Sequence, residues 1–562
     1  MNLLRIFGVF LLLLSILSCE WSNGKKRSPL LDKPIVYHRP DSLENVIRDS
    51  IEKNLETFSS SDSGHLSFRN FPILKAVYEQ NNFHRIWGRD SLFYERADSF
   101  FALIHGAENY GLFPVDYHAE RLHPLMDSLR KKQFHRHAGL WSRADLLLSD
   151  AFISFAHDLH LGRIPADSVT LNPDTVVTDE FYRLLFVQLA DTLPRAVLEK
   201  LEPPHPGYRD LKMALPDFLK KMDRTEFTYI HFPVADSFLF QQQLFKRLEE
   251  GGYTKGTDSL SGKEKLKTVV RKAQQALGLK EDGKPGVQLI RQLNATGPEQ
   301  FRRIALNMDR YKHFPDSMPV TYILVNLPAF SLSVYDSGRV ILESKVIIGK
   351  PQTRTPILNS RISNLITYPQ WTVPYSIIFK EMLPKIRRDI DYLRRENLMV
   401  VDKNDNLVDP YSIDWNKLGK HHFPYLIRQR QGDDNSLGVM KFNFPNRYSV
   451  YLHDTNARGL FARSDRALSH GCVRVQSWDT LARFLLIRDS ANISVSRLQD
   501  WLDREEKHHI PLRRKVPVYF RYFTTAAKDN GRIEFYDDLY GEDNRLMIRF
   551  LSRSGPILQR GQ

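Results

Sequence analysis

The sequence predicts a multi-domain α+β protein: a long helical region, a small helical unit, and a domain built on a mixed β-sheet with a helical insertion. Three observations carry this reading. The chain has 562 residues, several times the usual domain of about 150. Apolar residues recur three and four apart as far as about residue 313, then alternate with polar ones from Val320. With 42% hydrophobic and 26% charged residues there is enough apolar surface for packed cores, which excludes collagen-like, low-complexity and wholly disordered chains.

Taken in order, residues 1–19 carry Arg5, an apolar run from Ile6 to Leu14, and Ser15-Ile16-Leu17-Ser18-Cys19. The run is too short to span a bilayer, which takes about 20 apolar residues, so it reads as a secretory signal. Residues 20–65 are polar, with Pro29, Pro34 and Pro40, and are expected to form a tether holding one short helix near Ser42 to Phe58. Residues 66–255 show helical spacing, as in Leu74, Val77 and Tyr78 and again in Leu146, Leu147, Phe152 and Phe155; no chemistry is visible there, so a scaffold is expected. Residues 256–313 form a compact helical unit, Val270 to Leu279, a turn at Asp282-Gly283, Gly286 to Leu293, then Phe301 to Tyr311. Gly278 to Lys284 imitates a phosphate-binding loop, but Pro285 stands where Ser or Thr would hold Mg²⁺ and no strand precedes it.

Residues 318–500 are expected to form the β domain. Phe330, Leu332 and Val334 alternate with serines, Asp336-Ser-Gly338 supplies a turn, and Val340 to Ile348 returns as a second strand. Strand signals recur at Leu365 to Val373, Tyr448 to His453 and Cys472 to Val475. Between them, at about 376–435, lies a helix-containing insertion whose stripe, from Ile377 and Ile378 to Leu393, breaks near Pro384. Such an insertion reads as a lid or specificity element. Its Asp402 to Asn406 imitates a calcium loop, yet Leu407 replaces the turn glycine and Ile413 the bidentate carboxylate, so no metal is expected. Residues 501–562 are expected to extend the β domain at its C-terminal end.

The formal charge of +14 raises the question of nucleic acid. Basic and acidic residues are interleaved, as in Lys380-Glu381 and Arg388-Asp389, and neither RNA-binding aromatics nor zinc-finger spacing accompanies them, so no nucleic-acid partner is expected. An anionic envelope polymer suits the same charge.

The chain holds two cysteines, Cys19 and Cys472. A lone thiol in an exported protein is a liability unless buried or used, which directs attention to Cys472. In Ser449 to His453 the side chains alternate, Val450 and Leu452 to one face, Tyr451 and His453 to the other. After Gly471, Val473 and Val475 point inward and leave Cys472 and Arg474 together. If the two strands pair, His453 and Cys472 meet. A thiol attacks a carbonyl as thiolate, and a nearby imidazole can take its proton. The Gly471 and Cys472 amides are natural donors to an oxyanion. A buried structural cysteine and a zinc site of His453, His470 and Cys472 are the competing readings; His470 and Cys472, two apart on a turn, are poor metal spacing.

His453, followed 19 positions later by the cysteine of Ser469-His-Gly-Cys-Val-Arg474, resembles the signature of bacterial L,D-transpeptidases. The resemblance extends to Thr355-Pro356, Trp371-Thr-Val-Pro374, Leu383 to Asp389, Asp414-Trp415, Lys441-Phe-Asn-Phe-Pro-Asn446 and Leu460 to Arg463. With the helical regions upstream it resembles the large multi-domain subgroup, whose members carry a scaffold domain and a peptidoglycan-binding-like domain; the unit at 256–313 resembles such a wall-binding module. It implies that Cys472 attacks a tetrapeptide stem after its third residue, releasing D-alanine, and that a neighbouring stem's side-chain amine resolves the thioester as a 3-3 cross-link. It further implies His453 as general base, Gly471 and Cys472 as oxyanion donors, Ser469 and His470 as shapers of the turn, and Tyr451 and Trp371 as aromatic pocket residues. Arg474 either orders the loop or meets substrate carboxylates. No cofactor is implied, and carbapenem-type inhibitors are expected to acylate Cys472. Ile16-Leu17-Ser18-Cys19 resembles a lipoprotein signal, implying lipidation of Cys19, a membrane anchor and a periplasmic or envelope location; ordinary cleavage beside an incidental cysteine is the alternative. Hydrolysis by an L,D-carboxypeptidase using the same site, and a non-catalytic peptidoglycan-binding lipoprotein, are the rival functions.

Overall fold

The computed structural model describes residues 42–57, 68–164, 178–232, 236–315, 317–489 and 493–552. The signal segment with Cys19, and the tether on either side of residues 42–57, lie outside the described residues. Among the described residues no helix is long and apolar enough to cross a membrane.

Two compact units are present. The first is helical and its core surrounds Trp87, which stacks on Phe100 at 5.3 Å and meets Phe152 edge-on. Buried Asp145 is satisfied by the amides of Ile86 and Trp87 and by the Tyr78 hydroxyl, which removes the cost of an unpaired buried carboxylate. One expectation fails here. The stretch Ser42–Thr57 is no part of a tether: Ile47, Ile51 and Leu55, four apart, are fully buried in this unit, and Glu44 pairs with Arg85. Three apolar residues among many polar ones suffice for one helical stripe.

Among the described residues the second unit contains four hydrophobic cores. Ile230, the helix Ser237–Glu250, and the helices Gly262–Ala276 and Val287–Asn294 share one small core that includes Leu244, Val270 and Ile290. The expected boundary at 256 therefore cuts through it, because the Gly251-Gly252 stretch is a helix-ending turn inside one core. The helix Gly297–Tyr311, expected in that same unit, instead packs Phe301, Ile304 and Met308 among Tyr208, Tyr519 and Phe550.

The β domain is a nine-stranded mixed sheet. Its strands are β1 (Thr321–Asn326), β2 (Ser331–Asp336), β3 (Arg339–Gly349), β4 (Leu358–Thr367), β5 (Met440–Asn443), β6 (Leu452–His453), β7 (Ala467–Ser469), β8 (Val473–Val475) and β9 (His509–Arg521). They lie in the order β7-β3-β8-β6-β5-β4-β9-β1-β2, and β2 pairs again with β3, so the sheet closes. Inside, Val334, Ile348, Leu365, Phe442, Leu452 and Val473 form the core that the alternation anticipated. The C-terminal region supplies β9, which sits between β4 and β1, parallel to β1, and the chain then makes a short hairpin and the helix Glu542–Leu551.

The insertion has its own antiparallel sheet, in which Leu426–Gln429 pairs with both Trp371–Thr372 and Leu398–Val401. Its separate core includes Ile378, Leu383, Trp415 and Ile427. The helix passes through Pro384 by a wide turn over Ile378–Met382, which tolerates the missing proline N–H.

Candidate active site

Strand register builds the site. Leu365, Phe442, Leu452 and Val473 are opposed across β4, β5, β6 and β8, and all four are buried in the core. The next row, Lys441, His453 and Arg474 on β5, β6 and β8, must then share the other face, because opposed residues in a pleated sheet point the same way. Two residues earlier, Tyr451 and Cys472 fall on that face as well, joined by the Val473 amide donating to the Tyr451 carbonyl at 3.0 Å. The parallel pairing of β6 with β8 thus gathers the predicted His453, Tyr451, Cys472 and Arg474.

The turn that presents Cys472 is held from beneath. Ser469 Oγ donates to the Cys472 carbonyl at 2.6 Å and accepts the Gly471 amide at 3.1 Å. Buried Thr355 Oγ1 donates to the Gly471 carbonyl at 2.8 Å and accepts the Gly349 amide at 2.9 Å. Gly471 has φ +123°, a conformation that other residues rarely adopt. The Gly471 amide, expected to face an oxyanion, is occupied by Ser469 Oγ. Among the described residues the Cys472 amide meets no acceptor and is the open donor of the turn.

Around the thiol the environment is polar but shielded. Cys472 is half-buried, and its Sγ lies 3.9 Å from the Ser449 carbonyl. Ser449 has φ +56° and is held there by Asn446, whose Oδ1 accepts the Tyr448 and Val450 amides. Burial pushes the thiol up, opposed by the Tyr451 amide and hydroxyl and by the charges of Lys441 and Arg474. Burial pushes His453 down to about 3, helped by Arg474 and Lys441. Its Nδ1 is buried without a hydrogen-bond partner. Both shifts favour the uncharged forms, thiol and neutral imidazole, in the resting site.

Two further predicted residues link the site to the insertion. Trp371 hydrogen-bonds the Tyr451 hydroxyl, and Tyr451 also stands edge-on to His453 at 5.5 Å. His470 Nε2 lies 2.6 Å from Glu381 of the insertion, on the solvent side. Arg474 Nη1 donates to Thr455 Oγ1 at 3.2 Å, while its Nε is buried and unpartnered. Sequence reasoning assigned no role to Lys441, Thr355, Ser449 or Asn446. Their signal was present only as membership of short runs, and their roles come from cross-strand register and hydrogen bonds that span over 100 residues for Thr355.

Thr355→Val keeps the shape but orphans a buried carbonyl at Gly471 and a buried amide at Gly349. It is expected to cost about 1–3 kcal/mol for each orphaned group and to slow alkylation of Cys472 by loosening its turn. Denaturant unfolding and iodoacetamide kinetics would check both effects.

Residues 320–494 match the model of the L,D-transpeptidase catalytic domain, and residues 72–215 that of the scaffold domain. A Haemophilus influenzae protein named as an L,D-transpeptidase is 40% identical over 247 residues, which is 44% of this chain and 49% of that protein. The chain thus spans about half the length of this curated relative. Among solved structures, the Ldtfm-avibactam carbamoyl enzyme is 15% identical, covering 36% of this chain and 49% of that one at a TM-score of 0.17. Mycobacterium tuberculosis L,D-transpeptidase 1 is 12% identical, covering 36% and 61% at a TM-score of 0.14. Following a helical region similar to the scaffold domain, the residues that hold His453 and Cys472 are similar to the L,D-transpeptidase catalytic domain.

Proposed function

We propose that this chain is an L,D-transpeptidase that joins peptidoglycan stem peptides by 3-3 cross-links through a thioester on Cys472. The observation that supports this most is the single sheet face carrying Cys472, Tyr451 and the row Lys441, His453, Arg474, within residues that match the catalytic domain. In the first step Sγ attacks the carbonyl after the third residue of a tetrapeptide stem while His453 takes the thiol proton. The Cys472 amide steadies the oxyanion. D-Alanine leaves with the proton returned by His453. In the second step the side-chain amine of another stem attacks the thioester, His453 removes its proton, and the thiol is restored. Thiol and imidazole suffice for both steps, so the scheme uses no cofactor.

The rest of the chain fits an envelope setting in this reading. Cys19 is lipidated and anchors the protein, and the small helical unit around Leu244, Val270 and Ile290 holds the wall. Incubating residues 20–562 with disaccharide-tetrapeptide and weighing the products tests the proposal. A dimer that has lost one D-alanine is expected. Tripeptide alone would make the protein an L,D-carboxypeptidase, and unaltered substrate that remains bound would make it a wall-binding lipoprotein.

A further inference from the structure

Two cations flank the imidazole on one row of the sheet, and among the described residues neither forms an ion pair with a carboxylate. Lys441 Nζ lies 4.0 Å over the Tyr451 ring, and Tyr451 touches the thiol. Arg474 donates to Thr455, and among the described residues its buried Nε has no hydrogen-bond partner. Asp454, the carboxylate next in sequence to His453, accepts from Arg458 and the Val439 amide. Two half-buried positive charges left unpaired beside a nucleophile form a site for an anion brought by the substrate, since burial without a partner is costly.

Resting on the reading above, we propose that Lys441, with Arg474 beside it, receives the terminal carboxylate of the donor stem peptide and thereby selects stems that end one residue beyond the scissile bond. The geometry suits this class of ligand. In such a peptide the terminal carboxylate carbon lies three bonds from the scissile carbonyl carbon, within about 4 Å by standard bond lengths. A stem one residue longer presents a neutral amide at that position and forfeits the charge-assisted contact. Lys441 is therefore a specificity-determining residue that the strand pattern alone does not reveal.

The test is binding, so it does not depend on turnover. In a Cys472→Ala background, calorimetric titration compares tetrapeptide stem, its C-terminal amide, and a stem amidated instead on the side-chain carboxylate of its third residue. With Lys441 present, the free acid is expected to bind at least about 10-fold tighter than the C-terminal amide, the scale of one hydrogen bond to a charged group. Lys441→Met, which keeps the length and volume of the stem, is expected to reduce that preference to under about 3-fold while leaving the amide's affinity in place, and Lys441→Arg to restore most of it. A preference unchanged in Lys441→Met would overturn the assignment, as would a preference that follows the third-residue carboxylate. Failure of every stem to bind would overturn the peptidoglycan reading itself.

Discussion

Cys472→Ala is expected to abolish covalent acylation without unfolding the protein. The side chain lies outside the core, and its contacts with the Ser449 carbonyl at 3.9 Å and with Tyr451 are weak sulfur hydrogen bonds, so their loss should cost about 1 kcal/mol. The chemical loss is of another order. Without sulfur no thioester forms, and the product yield should fall by at least about 10⁴-fold, the scale seen when a covalent nucleophile is removed. In residues 20–562 Cys472 is the only thiol, so labelling is unambiguous. Incubated with a carbapenem, the native chain should gain the mass of one drug molecule and the variant none. A variant that still gained the adduct would place the nucleophile elsewhere, and a native chain that gained nothing would mean that Cys472 is no nucleophile towards this class.

Much of this site was legible because strand alternation is a local property. Val450, Leu452, Val473 and Val475 announce the buried face, and Tyr451, His453, Cys472 and Arg474 follow on the other. Lys441 was not legible in the same way. It comes from a four-residue strand whose partner rows are fixed only when β5 docks between β4 and β6, and nothing local says that Lys441 will oppose His453. The Gly471 amide was misjudged for a related reason: the tripeptide before the cysteine is flexible in sequence terms, and only the folded turn aims Ser469 Oγ at that amide. Composition misled at two boundaries. A polar background hid the stripe of Ile47, Ile51 and Leu55, and the boundary set at 256 falls within one core that joins Leu244 to Val270. β9 carries four Lys and Arg residues from His509 to Arg521, which gives no local sign that this strand lies between β4 and β1.

His453→Gln is expected to slow acylation by about 10²–10⁴-fold, the usual worth of a positioned general base, and to change the response to acid in a way that a purely structural residue would not. The imidazole is held down to about 3 by burial and by Arg474 and Lys441, whereas in the unfolded chain it titrates near 6.5. Between those values the unfolded state binds a proton that the folded state refuses, so stability is full above about pH 6.5 and is lost as the pH falls below it, at about 1.4 kcal/mol per unit. At pH 5 this histidine alone should have withdrawn about 2 kcal/mol relative to pH 7. His205, likewise buried and pushed down to about 3, acts in the same direction in both proteins and cancels from the comparison. Denaturant unfolding of the native chain and of His453→Gln at the two pH values should therefore show the variant losing about 2 kcal/mol less on acidification. The same arrangement governs the rate. An imidazole neutral down to about pH 3 imposes no acid limb near 6.5 on the acylation profile of the native enzyme, and its removal lowers the whole profile. A native limb at 6.5 that vanished in the variant would mean that His453 titrates near its ordinary value and is not held down by its surroundings.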